Sequence, residues 1–228
     1  MRLRIYFSKT GSLRYTGHLD LHTIWERTVR RAGLPLMYSQ GFHPSPKIQL
    51  ACALPLGFIG RCEIVDIWIE DSVPSSDDFS RSYSQLIQPS APPGLTILSV
   101  EPVDEHAPAL QTQVISAEYE VIFLDPLGAP AETALSEKIS SLLQASSLPN
   151  QRRGKAYDLR PLIESLSLES DVSRHRVVNE ASPKLFMRLA AREGATGRPE
   201  AVLEALGISF ESTRIERTRI ILKSDSSS

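Results

Sequence analysis

Twice along the chain the hydrophobic pattern runs through the same succession of strand, helix, strand, strand, helix and strand. Apolar residues alternate over residues 2–8, which reads as a strand. Over about 18–32 they recur every three to four positions, which reads as a helix. Strands follow at 47–54 and 62–70, then a helix at about 75–88 and a strand at 95–102. The second pass places strands at 114–124, near 157–169, at 184–191 and at 213–222, with helices at 130–146 and 198–206. The order βαββαβ is that of a split βαβ unit. The expected fold class is therefore α+β, built as tandem ferredoxin-like units over residues 1–103 and 114–223. Residues 103–113 are polar and aperiodic and read as a linker. Residues 170–183 read as a polar loop, and 224–228, Ser-rich and terminal, as a disordered tail.

The first helix carries its own boundaries. Asp20 sits in the first turn, where a carboxylate is favoured by the helix dipole. Gly33 and Pro35 stop it. Leu21, Ile24, Trp25, Thr28 and Ala32 share one side, and Arg27, Arg30 and Arg31 the other. Beyond the stop comes the block Tyr38-Ser-Gln-Gly-Phe-His-Pro-Ser-Pro-Lys-Ile48.

Here composition enters the argument. Of the 25 Lys/Arg, nine lie in residues 1–62 and sixteen beyond; of the 27 Asp/Glu, two lie in residues 1–62 and 25 beyond. The formal net charge of −2 thus divides into +7 over residues 1–62 and −9 from residue 63 onward. A basic segment in an otherwise acidic chain predicts an anionic partner.

Several classes are excluded. No apolar run approaches the ~20 residues of a membrane span. The N-terminus lacks a secretory apolar region, so the chain is expected to be cytoplasmic. Cys52 and Cys62 are too few for a zinc or iron–sulfur site and read as small buried hydrophobes without a disulfide. No cofactor and no metal are expected. His18 and His22 have the i,i+4 spacing of a metal pair but no third ligand. There is no Walker loop, Gly-x-Ser-x-Gly or dinucleotide fingerprint.

The runs Phe7-Ser-Lys-Thr-Gly11, Gly17-His-Leu-Asp20, Arg30-Arg-Ala-Gly-Leu-Pro35, Tyr38-Ser-Gln-Gly-Phe42, Pro44-Ser-Pro-Lys-Ile48 and Leu54-Pro-Leu-Gly57 resemble the radical-SAM-linked protein family, DUF2344. Asp158-Leu-Arg-Pro161 and Arg217-Thr-Arg219 add to the resemblance. The sequence departs from the family pattern at Ser45, where a histidine is usual, and at Phe58-Ile-Gly-Arg61. The resemblance implies a partner, a cobalamin-type radical SAM protein encoded beside or fused to family members. It also implies a cytoplasmic accessory or RNA-directed role, without supplying a mechanism. Lacking Cys-x₃-Cys-x₂-Cys, this chain is not itself the radical SAM enzyme.

Two classes of function follow from the residues. In the first, an adaptor binds RNA through Arg27, Arg30, Arg31, Tyr38, Phe42, His43 and Lys47. Guanidinium forks suit phosphate oxygens, and an aromatic with basic neighbours on a loop stiffened by Pro44 and Pro46 suits a single-stranded base. In the second, the tandem architecture, similar to that of RNA-processing RAMP proteins, supports metal-independent cleavage of RNA. There His18 or His43 is the catalytic candidate for general base, with Lys47 stabilising developing charge. Glu193-Gly-Ala-Thr-Gly197 is a poor match to the glycine-rich loop such proteins carry. A purely protein-docking subunit is the third reading. Arg152-Arg-Gly-Lys155 reads either as an extension of an anion-binding surface or as a solvated hairpin. Arg217 and Arg219 are expected to pair with Glu118 or Glu120.

Overall fold

A computed structural model describes residues 1–70, 79–169 and 183–223. The tail 224–228, residues 170–182 of the expected loop and residues 75–78 of the expected second helix lie outside the described residues. The class is α+β with mostly antiparallel strand pairing, in two compact units. One comprises Met1–Val114 together with the segment from Leu222; the other is Ile115–Ile221. Among the described residues no helix is long and apolar enough to cross a membrane.

The first unit contains β1 (Arg2–Lys9), α1 (His18–Arg31), β2 (Ile48–Leu50), β3 (Ile59–Trp68), α2 (Phe79–Ile87), β4 (Leu95–Val103) and the single turn α3 (Leu110–Gln113). β1 is central, antiparallel to both β3 and β4, and β2 pairs with β3, giving the order β4-β1-β3-β2. Side chains alternate across a strand, and β1 uses both faces. Leu3, Ile5 and Phe7 point into a core shared with Leu21, Trp25 and Val29 of α1 and with Tyr83 and Ile87 of α2. Phe7 meets Trp25 edge-on at 4.9 Å between centroids. Arg2 and Arg4 belong to the other strand face, and so does Asp66 of β3, directly opposite Arg4 in the register.

That second face corrects two expectations. Residues 103–113 are not a free linker. Leu110 is fully buried and its backbone N–H donates to Gln49 Oε1 at 3.1 Å. The carbonyls of Ala107 and Pro108 accept from the Arg2 guanidinium at 2.7 and 3.0 Å. The charge count is also misleading. Arg2, Arg4 and Lys9 are buried. Arg2 and Arg4 share Asp66 at 2.6 and 2.9 Å, and Lys9 donates to the carbonyl of Thr16. Burial alone would lower the pKa of Arg4, but Asp66's hydrogen bonds and charge carry it above the ordinary value. Counted over residues 1–114, ten Lys/Arg face eleven Asp/Glu. The +7 came from a sequence window whose acidic strand partner lay just outside it.

Gly94, before β4, is required by close approach. Its φ is +91°, and a Cβ there would stand 2.5 Å from the carbonyl oxygen of Thr10, whose N–H donates to Gly94 O at 2.8 Å. Gly94→Ala should lower stability by more than about 1 kcal/mol, measured by chemical denaturation. A neutral effect would contradict this backbone geometry.

The second unit runs β5 (Val114–Phe123), α4 (Ala129–Gln144), β6 (Pro149–Arg152), β7 (Lys155–Asp158), β8 (Ile163–Glu169), β9 (Lys184–Arg192), β10 (Ala195–Thr196), α5 (Pro199–Leu206) and β11 (Thr213–Leu222). Its sheet order is β8-β9-β5-β11, with β10 also on β9, while β6 and β7 form a separate hairpin. The single strand expected near 157–169 is therefore β7, a 3₁₀ turn at Arg160–Leu162 and β8. Asp158 imposes the break. Its Oδ1 accepts from the N–H groups of Leu148 (2.8 Å) and Arg160 (3.0 Å), which hold its carboxyl below the ordinary carboxylate range. The Arg160 guanidinium then donates to the carbonyls of Leu143 and Ile163. On β5, Glu120 pairs with Lys184 at 2.8 Å, and on β8 Glu164 pairs with Arg188. Arg217 is buried and Arg219 exposed.

Candidate nucleic-acid interface

α1 leaves the core through Gly33, whose φ of +75° lets the N–H of Leu34 reach the carbonyl of Val29. This is the left-handed helix stop the Gly-x-Pro pattern predicts. The chain then forms a narrow ribbon at the sheet edge. Leu36 bridges Ile69 and Tyr38 bridges Pro46, while Lys47 N–H donates to Met37 O and Met37 N–H to Trp68 O, both at 2.8 Å. At the ribbon's end, Ser39 N–H donates to Ser45 O (2.8 Å) and Ser45 N–H to Ser39 Oγ (3.0 Å). These two bonds pinch residues 40–44 into a protruding tip. Gly41 there has φ +139°, which a side chain would oppose. Proline fits at 44 and 46 because neither position is asked to donate to a strand ladder.

Phe42 stands at this tip with its whole side chain in solvent, 103% exposed. His43 is exposed beside it, and Tyr38 is 38% exposed at the ribbon's base. A large aromatic so placed loses hydrophobic free energy unless something covers it. Lys47 is half-buried and lines a cleft of about 380 Å³ with Ser39, Ser45, Gln49 and Trp68. Trp68 is the residue that sequence reasoning missed. Its signal was present: Ile67 of β3 and Ile69 just beyond it take core positions, which leaves Trp68 on the opposite, polar face. The Arg2 guanidinium lies 4.7 Å over its ring and fixes the ring's orientation.

Arg27, Arg30 and Arg31 are all exposed on α1, opposite its buried residues Leu21, Trp25, Thr28 and Val29. Glu26 reaches Arg30 at 3.4 Å. Among the described residues Arg27 and Arg31 make no ion pair, so two guanidinium forks one helical turn apart remain available to an anion.

The two histidine candidates lie on different elements of the first unit. His18 opens α1 and His43 sits on the ribbon tip. Along the helix, His18 and Arg31 are about 20 Å apart at 1.5 Å per residue. Asp20 at the same end caps the helix, with its Oδ2 accepting from Gly17 N–H at 3.3 Å. Among the described residues no group of three or more His, Cys, Asp or Glu side chains is placed to hold a metal ion. Cys52 and Cys62 are unbridged and half-buried, less enclosed than expected because Cys52 falls just beyond β2.

The site brings together a protruding aromatic, a cleft with an oriented indole and a lysine, and a helix face with two exposed guanidinium groups. The model of a family described as an uncharacterized protein conserved in bacteria (DUF2344) matches residues 2–199 of the chain. No curated protein matches it.

Proposed function

The chain belongs to the DUF2344 family, and we propose that it is an accessory protein that binds single-stranded RNA through its first unit and serves a radical SAM enzyme acting on that RNA. The observation that carries the reading is Phe42, fully exposed on a tip pinched shut by Ser39 and Ser45. Base stacking on such a platform tolerates sequence variation, and neighbouring cations hold the backbone. Arg27 and Arg31 supply phosphate contacts, Tyr38 and Trp68 further aromatic surface, and His43 and Lys47 further donors. The local arrangement supports the reading where the overall charge does not, because the unit as a whole is near neutral. The radical SAM partner rests on the family resemblance alone. The same reading includes the fold. The order β4-β1-β3-β2, repeated as β11-β5-β9-β8, is the order of a ferredoxin-like split βαβ unit, so the chain is read as two of them in tandem.

Photocrosslinking tests the site directly. A short single-stranded RNA carrying 4-thiouridine should attach to the peptide that contains Phe42. Attachment confined to other peptides, or none, would remove the ribbon from the interface and favour a protein-docking subunit.

A further inference from the structure

The second unit carries a cleft that the RNA reading leaves unused. It has a volume of about 540 Å³, within the range of small-molecule sites. One wall is the β6–β7 hairpin, with Arg152, Arg153, Lys155 and Tyr157; the other is the β9–β10 turn, with Gly194 and Thr196.

Two features of the hairpin oppose its own stability at the same spot. The turn is closed by Arg153 and Gly154, with φ of +48° and +78°. Positive φ at both central positions is the type I′ geometry, which favours Asn-Gly. Arg153 is the non-glycine residue held at positive φ among the described residues. In addition, Arg152 and Lys155 are direct cross-strand partners, two like charges face to face. None of the three cations makes an ion pair among the described residues. Asparagine at the turn and an acid at either strand end would relieve both conflicts. An anion in the cleft relieves the second and gives the strained arginine a purpose, the pattern expected where local strain serves binding.

The rest of the lining indicates what the anion is attached to. Tyr157 follows Lys155 by two residues, so both share one hairpin face, and its ring is half-buried in the cleft wall. Thr196 adds a hydroxyl. Asp158 is also in the lining, but its Oδ1 is taken by two backbone N–H groups, and the lining stays net positive. We infer that this cleft binds a free nucleoside phosphate, with Arg152, Arg153 and Lys155 on the phosphate and Tyr157 against the base. The inference stands independently of the RNA site on the first unit.

Calorimetric titration of the full chain with ATP, AMP and inorganic phosphate tests it, with Arg153→Gly as the decisive variant. Glycine removes one phosphate donor while relieving the turn, so the melting temperature should hold or rise as nucleotide affinity falls about tenfold. Lys155→Ala should weaken ATP by a similar factor. AMP should bind more tightly than phosphate. The inference is overturned if no nucleotide binds below about 1 mM, if Arg153→Gly binds ATP like the wild type, or if phosphate matches AMP. It is also overturned if a short RNA, and no free nucleotide, loses affinity in Arg153→Gly while still binding Arg27→Ala/Arg31→Ala; the cleft would then belong to RNA.

Discussion

Replacing Asp66 by alanine should remove a large part of the first unit's stability. The carboxylate is 0% exposed and accepts four hydrogen bonds, from Nε and Nη2 of Arg2 and from Nε and Nη2 of Arg4. Taking it away strands two guanidinium groups in the interior. Removing one partner of a buried ion pair costs about 3–5 kcal/mol, because the remaining charge has neither water nor a counter-ion. A domain has about 5–15 kcal/mol in total. The loss also loosens Arg2 from Trp68 and from the carbonyls of Ala107 and Pro108, so residues 104–113 should detach with it. Urea denaturation reads the effect; a shift below about 1 kcal/mol would mean that water reaches this cluster. Replacing all three charges together by apolar residues should recover much of the loss, since a well-packed apolar substitute for a buried triad is often no less stable. The exposed Glu26–Arg30 pair offers the contrast. Its loss should cost no more than about 0.5 kcal/mol.

Phe42→Ala separates binding from stability. The side chain is 103% exposed, so its removal should not lower the melting temperature. Stacking of a base on an aromatic platform is worth about 1–3 kcal/mol, so affinity for single-stranded RNA should fall by a factor between about 5 and about 150. Phe42→Tyr should bind nearly as well as the wild type, since the stacking face survives. A fall in stability with no change in binding would reverse the assignment and make Phe42 a structural residue.

The regular elements were legible because their periods are unambiguous. The boundaries of α1 followed from Asp20, Gly33 and Pro35. β9 and β11 followed from apolar alternation bounded by polar turns. What escaped depended on partners remote in sequence. The break between β7 and β8 is set by Asp158 gripping the N–H of Leu148, ten residues back, and no periodicity records such a bond. Residues 103–113 look like a linker because their value lies in backbone carbonyls offered to Arg2, which any sequence can supply. The charge window misled for the same reason: Arg2 and Arg4 find their counter-ion 62 to 64 residues away. Of the candidate site, the exposure of Phe42 and of the helix arginines was legible in the local pattern. Trp68 was passed over as one more apolar residue of β3, although its place in the alternation put it on the polar face.

The central claim, that the first unit holds RNA by stacking and by phosphate contacts from α1, is tested most directly by the salt dependence of binding. The logarithm of the affinity for a fluorescent single-stranded RNA should fall linearly with the logarithm of salt concentration. In Arg27→Ala/Arg31→Ala the slope should shrink by about 1.4, two phosphate contacts at roughly 0.7 each for a single strand. A wild-type slope near zero, or the same slope in both proteins, would contradict the account.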